Sequence, residues 1–274
     1  MKKKKSIAFI VLTLLLFAII AKVYYDTNYF KVNDIKLHSE KIAKNSELTI
    51  LQLTDIHNKV FGDNNEKLIN TIKEVNADLI VITGDLMDRR TEDLSDVFHL
   101  VDEITKVNSN VYFVSGNHEW ENLYREELFN GLQERNVKLL DNLHMEVTAD
   151  EVTVNIVGVG DYSTNHDNLE LATTNLNKDL YTIILSHSPD MIEEYNHTSV
   201  DLTLSGHTHG GQVRFPFIGA LVAPDQGFFP TLDKGLYELS DNQFLYIDSG
   251  LGTSMLPIRF LNQSQLSVIT IHNN

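Results

Sequence analysis

Five short segments rich in Asp, His and Asn each follow an apolar run, and this pattern constrains the fold most. One of them, Ser205-Gly206-His207-Thr208-His209-Gly210-Gly211-Gln212, follows residues 202–204, an apolar run typical of a buried strand. The other four segments are residues 54–57, 83–85, 115–119 and 186–187. An isolated His-x-His is more often a pair of solvent-exposed loop residues. Because ligands of open α/β sheets bind beyond the carboxyl ends of strands, the five segments together predict one metal site.

The amino terminus has the pattern of a membrane anchor. Four lysines at positions 2–5 precede an apolar run over residues 7–21 that only Thr13 interrupts. We expect a cytoplasmic basic tail at 1–5, a transmembrane signal anchor at 6–25 and a folded domain at 26–274. A cleaved signal peptide is the rival interpretation, but Ile19-Ile20-Ala21 matches a cleavage site poorly. Lysines stay on the cytoplasmic side, so we expect a single-pass membrane protein with its domain extracytoplasmic.

Charge and cysteine content limit which classes of partner the chain can bind and which side chains can bind a metal. The 274-residue chain has 22 basic and 38 acidic residues, a formal net charge of −16. This balance disfavours nucleic acid as the main partner, because phosphate backbones are bound by Lys and Arg. Most of the acidic residues serve solubility, and a few can bind divalent cations. The chain has no cysteine, so any metal must be bound through oxygen and imidazole.

The hydrophobic pattern predicts an α/β fold. Strand-like runs at 48–53, 78–83 and 111–114 alternate with helical periodicity at 68–75, 94–104 and 121–135, which is typical of an α/β layered core. Short runs at 137–140, 144–148 and 152–159 predict antiparallel strands. Further strands at 181–185, 202–204, 236–239, 244–247 and 266–271 predict a second sheet. We also expect a helix at 169–176, a short helix at 189–195 and a polar tether at 26–33. The alternative for the tether is that a strand already begins within it, since Phe30, Val32 and residues 35–37 have apolar character.

The motifs as a set resemble those of the calcineurin-like metallophosphoesterases. Asp55-x-His57, Gly84-Asp85, Gly116-Asn117-His118-Glu119, His187 and Gly206-His207-x-His209 stand in that family's order, over about residues 45–271. The Gly-His-Thr-His-Gly-Gly-Gln stretch and the segment at 250–259 look like the membrane-associated bacterial branch of YkuE-like and YaeI-like phosphoesterases. The resemblance implies a four-layer α-β-β-α sandwich of two mixed sheets flanked by helices, here with an N-terminal transmembrane helix.

The resemblance also implies a role for each motif residue. Asp55, His57 and His209 would hold a first divalent metal, Asn117, His187 and His207 a second, and Asp85 would bridge them. Neutral imidazoles suit Mn, Fe, Zn or Ni rather than Ca. A metal-bridged hydroxide would attack phosphorus, and His118 would act as general acid. Many relatives have Asp where this chain has Glu119, which could orient His118 or miss it. Asp88 could support the site or belong to a surface turn.

The substrate is less constrained by the sequence. Asn117, Arg214 and Arg259 are candidate substrate contacts, although salt bridging is the commoner use of a single arginine. Apolar residues crowd 215–229, where core packing is the default and an apolar lip touching an acyl chain or the bilayer is the alternative. We expect a phosphodiester, pyrophosphate or phosphomonoester substrate, lipid-linked or cell-wall-linked.

Three other functions remain open. The first is a UDP-2,3-diacylglucosamine-type glycolipid pyrophosphohydrolase, which an extracytoplasmic location disfavours. The second is a non-catalytic scaffold of the same fold, which the complete set of ligands disfavours. The third is a membrane-tethered cell-wall-binding protein whose metals only stabilise the fold.

Overall fold

Two six-stranded sheets form the frame of the domain. The structure is a computed structural model that describes residues 2–192, 200–240, 242–254 and 256–274. In the first sheet the strand order is β1-β16-β2-β3-β4-β5, and every neighbouring pair is parallel except β16 with β2. Its strands are β1 (Phe30–His38), β2 (Glu47–Leu53), β3 (Leu79–Thr83), β4 (Val111–Val114), β5 (Lys138–Leu139) and β16 (Ser264–His272).

The second sheet has the order β14-β15-β9-β8-β7-β6, with antiparallel pairs at its two edges and parallel pairs between them. Its strands are β6 (Leu143–Ala149), β7 (Val152–Gly158), β8 (Tyr181–Leu185), β9 (Leu202–Ser205), β14 (Gly235–Ser240) and β15 (Gln243–Ile247). Two small ribbons follow β9, and they are formed by β10 (Arg214–Phe215) with β11 (Gly219–Ala220) and by β12 (Val222–Ala223) with β13 (Gly227–Phe228).

Three clusters of buried apolar side chains hold the layers together. One joins the facing sides of the two sheets, with residues such as Ile50 and Val81 against Ile183 and Leu204. Another covers the outer side of the first sheet with α2 (Glu66–Val75), α3 (Ser95–Val107) and α5 (Arg125–Glu134). The third covers the second sheet with α6 (Leu169–Ala172) and the turn at Pro189–Met191. The predicted α-β-β-α sandwich of two mixed sheets is therefore confirmed.

Several local predictions were wrong. The run at 137–140 yields only β5, which pairs in parallel with β4 in the first sheet, because α5 connects the two strands as a crossover. The helix predicted at 121–135 divides into α4 (Asn117–Glu121) and α5. The helix predicted at 169–176 is only α6. From the short helix predicted at 189–195, the structure has a 3-10 turn at Pro189–Met191, and residues 193–199 lie outside the described part.

The amino-terminal helix α1 (Lys2–Asn28) continues past the predicted end of the anchor. The residues predicted as a polar tether are helical up to Asn28, and Asp26 and Thr27 are buried. Asp26 and Thr27 can be buried because both are paired. Asp26 pairs with Lys22, and the Thr27 hydroxyl accepts the backbone N–H of Arg259 at 2.8 Å. The span Lys3–Asn28 is long and apolar enough to cross a membrane, and its most apolar window is not buried against the domain.

Candidate metal centre

The five motif segments meet at one edge of the sandwich, where β2, β3, β4, β8 and β9 end. The backbone there is unusual. Five of the seven predicted metal ligands have a positive φ, namely Asp55, His57, Asp85, His207 and His209. L-residues rarely adopt this conformation, and where they do the surrounding structure must hold them in place. The backbone conformation of these turns therefore sets the direction of the ligand side chains, in addition to connecting the strands to the next elements.

Glycines let these turns approach one another. A Cβ on Gly116 would collide with the Asp85 carboxylate, and a Cβ on Gly206 would collide with Thr54 and Asp55. The Gly-Asn-His and Gly-His-x-His motifs therefore have a steric reason for their glycines. They allow the turns from the two sheets to pack within bonding distance.

A first group of ligand atoms surrounds one point. His57 Nε2 and His209 Nε2 lie 3.2 Å apart, and Asp55 Oδ1 is 3.3 Å from His209 Nε2. Asp85 Oδ2 lies 3.4 Å from His57 Nε2. One atom from each of these four buried residues lies within 4.8 Å of all the others. A single cation can therefore be reached by two carboxylates and two imidazoles.

A second group lies on the other side of Asp85. Asp85 Oδ2 is 3.3 Å from His187 Nε2, which is 3.2 Å from His207 Nδ1. His187 Nδ1 contacts the carbonyl of Thr83 at 2.8 Å, and His207 Nε2 contacts Asp225 Oδ2 at 2.7 Å. These contacts use one nitrogen of each ring and leave His187 Nε2, next to Asp85, and His207 Nδ1 facing each other, an arrangement typical of metal-binding histidines.

The residues fit divalent metals by their donor atoms and their protonation. Burial lowers the pKa of His57 to about 4 and that of His209 well below its usual value, so both rings are neutral. Burial would raise the pKa of Asp85, but the charge and the hydrogen bond of His187 outweigh it and keep the carboxyl ionised. The same pairing raises the pKa of His187 well above its usual value, although burial opposes the rise. Asn117 Oδ1 is buried without a hydrogen-bond partner in the described part of the chain. A carboxylate, the neutral imidazoles of His57 and His209 and an unpaired amide oxygen are donors that a metal can use, and a metal bound at His187 would take the place of its proton.

His118 lies beside this cluster and contacts Arg89 in two ways. The backbone N–H of Arg89 donates to His118 Nδ1 at 3.1 Å, and the Arg89 guanidinium lies 2.8 Å from His118 Nε2. His118 Nε2 is 3.9 Å from Asp85 Oδ2, and Asp88 Oδ2 is 3.6 Å from Nδ1. Burial and then the charge of Arg89 lower the pKa of His118, while Asp85 and Asp88 oppose them. The Asp88 carboxylate therefore lies next to His118 at the site and is not merely part of a surface turn.

Glu119 does not contact His118. Its two buried oxygens accept the backbone N–H groups of Asp85, Leu86, Met87 and Gly116 at 2.8–3.2 Å. Burial and then the Asp85 charge raise the pKa of Glu119, but two N–H donors on each oxygen leave no acceptor for a carboxyl proton, so the geometry requires the ionised carboxylate. Glu119 thus ties the turn after β3 to the turn after β4. Of the two possibilities that the sequence left open, this placement matches the one in which Glu119 misses His118.

The two arginines predicted to bind substrate are bonded within the protein. Arg259 is fully buried, and its guanidinium donates to the carbonyls of Ser249, Gly252 and His209. Arg214 donates to the Gly210 carbonyl at 3.0 Å and to Asp233 at 2.6 Å. The prediction for Arg259 does not fit this placement, because a guanidinium so enclosed has no free face. Both arginines instead fix the turn that bears His209.

Two residues at the site escaped the sequence reasoning. Arg89 could have been found, because it directly follows the Gly84-Asp85-Leu86-Met87-Asp88 stretch. Asp225 gave no signal, since it stands 18 positions after His207 in an otherwise apolar segment. Its contact arises only because the β12–β13 ribbon folds back beside the His207 turn.

Comparison with known proteins gives the family of the chain. The sequence profile described as calcineurin-like phosphoesterase matches residues 48–211. The uncharacterized metallophosphoesterase YkoQ of Bacillus subtilis is 31% identical over 241 residues, 85% of this chain and 87% of that protein. The uncharacterized metallophosphoesterase YkuE of the same organism is 29% identical over 232 residues, 81% of this chain and 78% of that one.

A vertebrate protein shares the same region. The transmembrane protein with metallophosphoesterase domain of Danio rerio is 28% identical over 258 residues, which are 88% of this chain but 57% of that protein. The family profile covers more than half of the present chain, and YkoQ matches it over most of both lengths. The chain therefore belongs to the calcineurin-like phosphoesterase family.

Proposed function

We propose that this chain is a membrane-anchored phosphoesterase that uses two divalent metals. The observation that carries the proposal is the position of Asp85 Oδ2, which lies 3.4 Å from His57 Nε2 and 3.3 Å from His187 Nε2. One carboxylate oxygen shared by two groups of imidazoles is the arrangement that a two-metal site needs. The metals themselves are left open as Mn, Fe, Zn or Ni.

Each residue of the centre has a definite part. Asp55, His57 and His209 would hold one metal, Asn117, His187 and His207 the other, and Asp85 both. When bound, the metals would supply Lewis acidity toward a phosphoryl oxygen and acidify the attacking water. Thr83 and Asp225 orient His187 and His207 so that the required ring nitrogen faces inward.

His118 is the proposed general acid, which donates a proton to the leaving oxygen. Its backbone N–H donates to Asp85 Oδ1 at 2.9 Å and its ring Nδ1 accepts the backbone N–H of Arg89 at 3.1 Å, so the ring is fixed relative to the centre. Arg89 replaces Arg214 and Arg259 as the proposed phosphate contact, because its side chain is 42% exposed and yet reaches His118. A planar guanidinium suits bidentate contact with a phosphoryl group.

The proposed substrate is a phosphodiester, pyrophosphate or phosphomonoester presented at a membrane. The anchor is proposed from α1 and from the name of the zebrafish relative, which describes a transmembrane protein. The lysines at positions 3–5 lead to the proposal that the amino terminus is cytoplasmic and the domain extracytoplasmic. Protease shaving of intact cells tests this, since protection of the domain would contradict it.

Turnover by the full-length protein in lipid nanodiscs tests the enzyme proposal. With Mn, we expect hydrolysis of bis-p-nitrophenyl phosphate or p-nitrophenyl phosphate, and the ratio of the two assigns the ester class. His118→Asn should lower turnover by about 10²–10⁴-fold with metal content retained. His99→Asn, at an exposed histidine on α3, is the matched control and should change nothing. Undiminished turnover in His118→Asn would contradict the assignment of the acid.

A further inference from the structure

Nine exposed apolar side chains lie in the two ribbons and in the segment at 256–261, which is bonded to the end of α1. Together we call them the apolar face. Its members are Phe215, Phe217, Ile218, Val222, Phe228, Phe229, Leu256, Ile258 and Leu261, each of which is exposed. Phe217 is fully exposed and Phe228 is 80% exposed. Large apolar side chains grouped in this way on a protein surface mark an interaction site, because single exposed ones would be unremarkable.

Hydrogen bonds fix the apolar face to the end of α1. The hydroxyl of Thr27 in the last turn of α1 accepts the N–H of Arg259. The next residue, Phe260, accepts the N–H of Arg214 at 3.0 Å, and its ring lies 6.2 Å from that of Phe215. The β10–β11 ribbon, with Phe217 and Ile218 in its turn, is therefore bonded to the segment that holds the helix end.

The same helix end has the residues of a membrane–water interface. Tyr24, Tyr25 and Tyr29 are all exposed, and the rings of Tyr25 and Tyr29 stack at 5.2 Å. Tyrosines concentrate at the level of the lipid headgroups. The level of the bilayer surface along α1 is thus at residues 24–29, next to the apolar face.

Positive charge also gathers at this level, although the chain as a whole is acidic. Lys59 donates to Asn28 at 3.2 Å, and Lys67 Nζ lies 5.6 Å from the centre of the Tyr29 ring. Lysines beside a membrane-spanning helix are attracted to anionic lipid headgroups. An apolar face flanked by lysines and tyrosines matches the chemistry of a lipid surface better than that of a second protein.

We propose, resting on the membrane anchor proposed above, that the apolar face inserts into the surface of the bilayer that α1 would span. The domain is then held at the membrane by two contacts, the helix and the two ribbons, and its orientation relative to the bilayer is fixed. The ribbons directly follow the turn of His207 and His209, and Leu221, between the two ribbons, donates its N–H to the Val213 carbonyl. Docking of this face holds the candidate metal centre close to the lipid headgroups.

Site-directed spin labelling of the full-length protein in nanodiscs tests the docking. The chain has no cysteine, so Phe217→Cys and Phe228→Cys each introduce a single labelling site at an exposed position. Leu171→Cys on α6 is the matched control, since that leucine is 56% exposed and lies on the outer side of the second sheet. The depth of each label follows from its relative accessibility to oxygen and to a water-soluble nickel chelate.

We expect the labels at Phe217 and Phe228 to lie about 5–10 Å below the headgroups, and the label at Leu171 to remain in water. A label at either phenylalanine as accessible to the nickel chelate as the Leu171 label would overturn the proposal. Strong spin–spin coupling between labels at Phe217 would also overturn it, because a second copy would then cover the face. Neither result depends on whether the protein hydrolyses phosphoesters.

Discussion

Glu119 provides the sharpest test of how the centre is held together. Its carboxylate accepts four backbone N–H groups, two from each oxygen, and it is completely buried. Hydrogen bonds to charged groups contribute about 1.5–3 kcal/mol each, and they are not additive. We therefore expect Glu119→Ala to lower the free energy of unfolding by at least about 4 kcal/mol, out of a total of about 5–15 kcal/mol.

The amide variant should fall between the wild type and the alanine variant. Glu119→Gln keeps one oxygen but turns an NH₂ group toward two N–H donors, so we expect a loss of about 3 kcal/mol. At about 2–4 °C per kcal/mol for a protein of this size, the melting temperature should fall by at least about 8 °C for alanine and about 6 °C for glutamine.

Fluorescence of Trp120 is a suitable probe, because it is the only tryptophan and adjoins Glu119. Full-length variants are heated in nanodiscs at one scan rate. Glu126→Gln is the control, since that side chain is 75% exposed and should change stability by no more than about 0.5 kcal/mol. If Glu119 instead orients His118, both variants would melt near the wild type while the pH profile of turnover shifts. That result would refute the reasoning.

Three further predictions follow from neighbouring contacts. Asp225→Ala removes the partner of His207 Nε2 and should weaken metal binding about 10–100-fold in a Mn titration; unchanged affinity would contradict the orienting role. Arg89→Met should lower kcat/KM and, because the cation depresses the pKa of His118, move the high-pH limb of the profile upward; an unmoved limb would count against their contact. Burial lowers the pKa of Lys234 to about 8, so the folded protein binds fewer protons than the unfolded chain above pH 8 and gains stability up to about pH 10. Lys234→Met should lack this gain in melting temperature, and an equal rise in both proteins would exclude Lys234 as its source.

Residues whose chemistry repeats at strand ends could be predicted from the sequence. Asp55, Asp85 and His187 each follow an apolar run, so a rule about sheet edges was enough to bring them together. The four layers were predictable for the same reason, because burial leaves a periodic trace in the sequence. Those predictions depend on local pattern and on one topological rule.

Contacts between distant segments could not be predicted in this way. Arg259 looks like any arginine in a glycine-rich segment, and only the fold shows that three carbonyls surround it. Asp225 meets His207 because a ribbon folds back, which has no periodic signal. The parallel pairing of β5 depended on the path of α5, and a strand of only two residues carries too little pattern to choose a sheet.

The continuation of α1 was missed for a related reason. Asp26 and Thr27 are polar and read as a tether, yet both are buried at the junction of helix and domain. Their partners, Lys22 and Arg259, lie one turn away and more than 200 positions away, respectively. A buried polar residue is stable when it is paired, and the sequence alone did not identify the pair.

The electron paramagnetic resonance spectrum of the manganese-loaded protein tests the central claim most directly. With two equivalents of Mn per full-length chain, two ions that share the Asp85 carboxylate should give the spectrum of an exchange-coupled pair. The Asp85→Asn variant should lose that coupling. A wild-type protein that binds only one equivalent, or that binds two ions without coupling, would contradict the account.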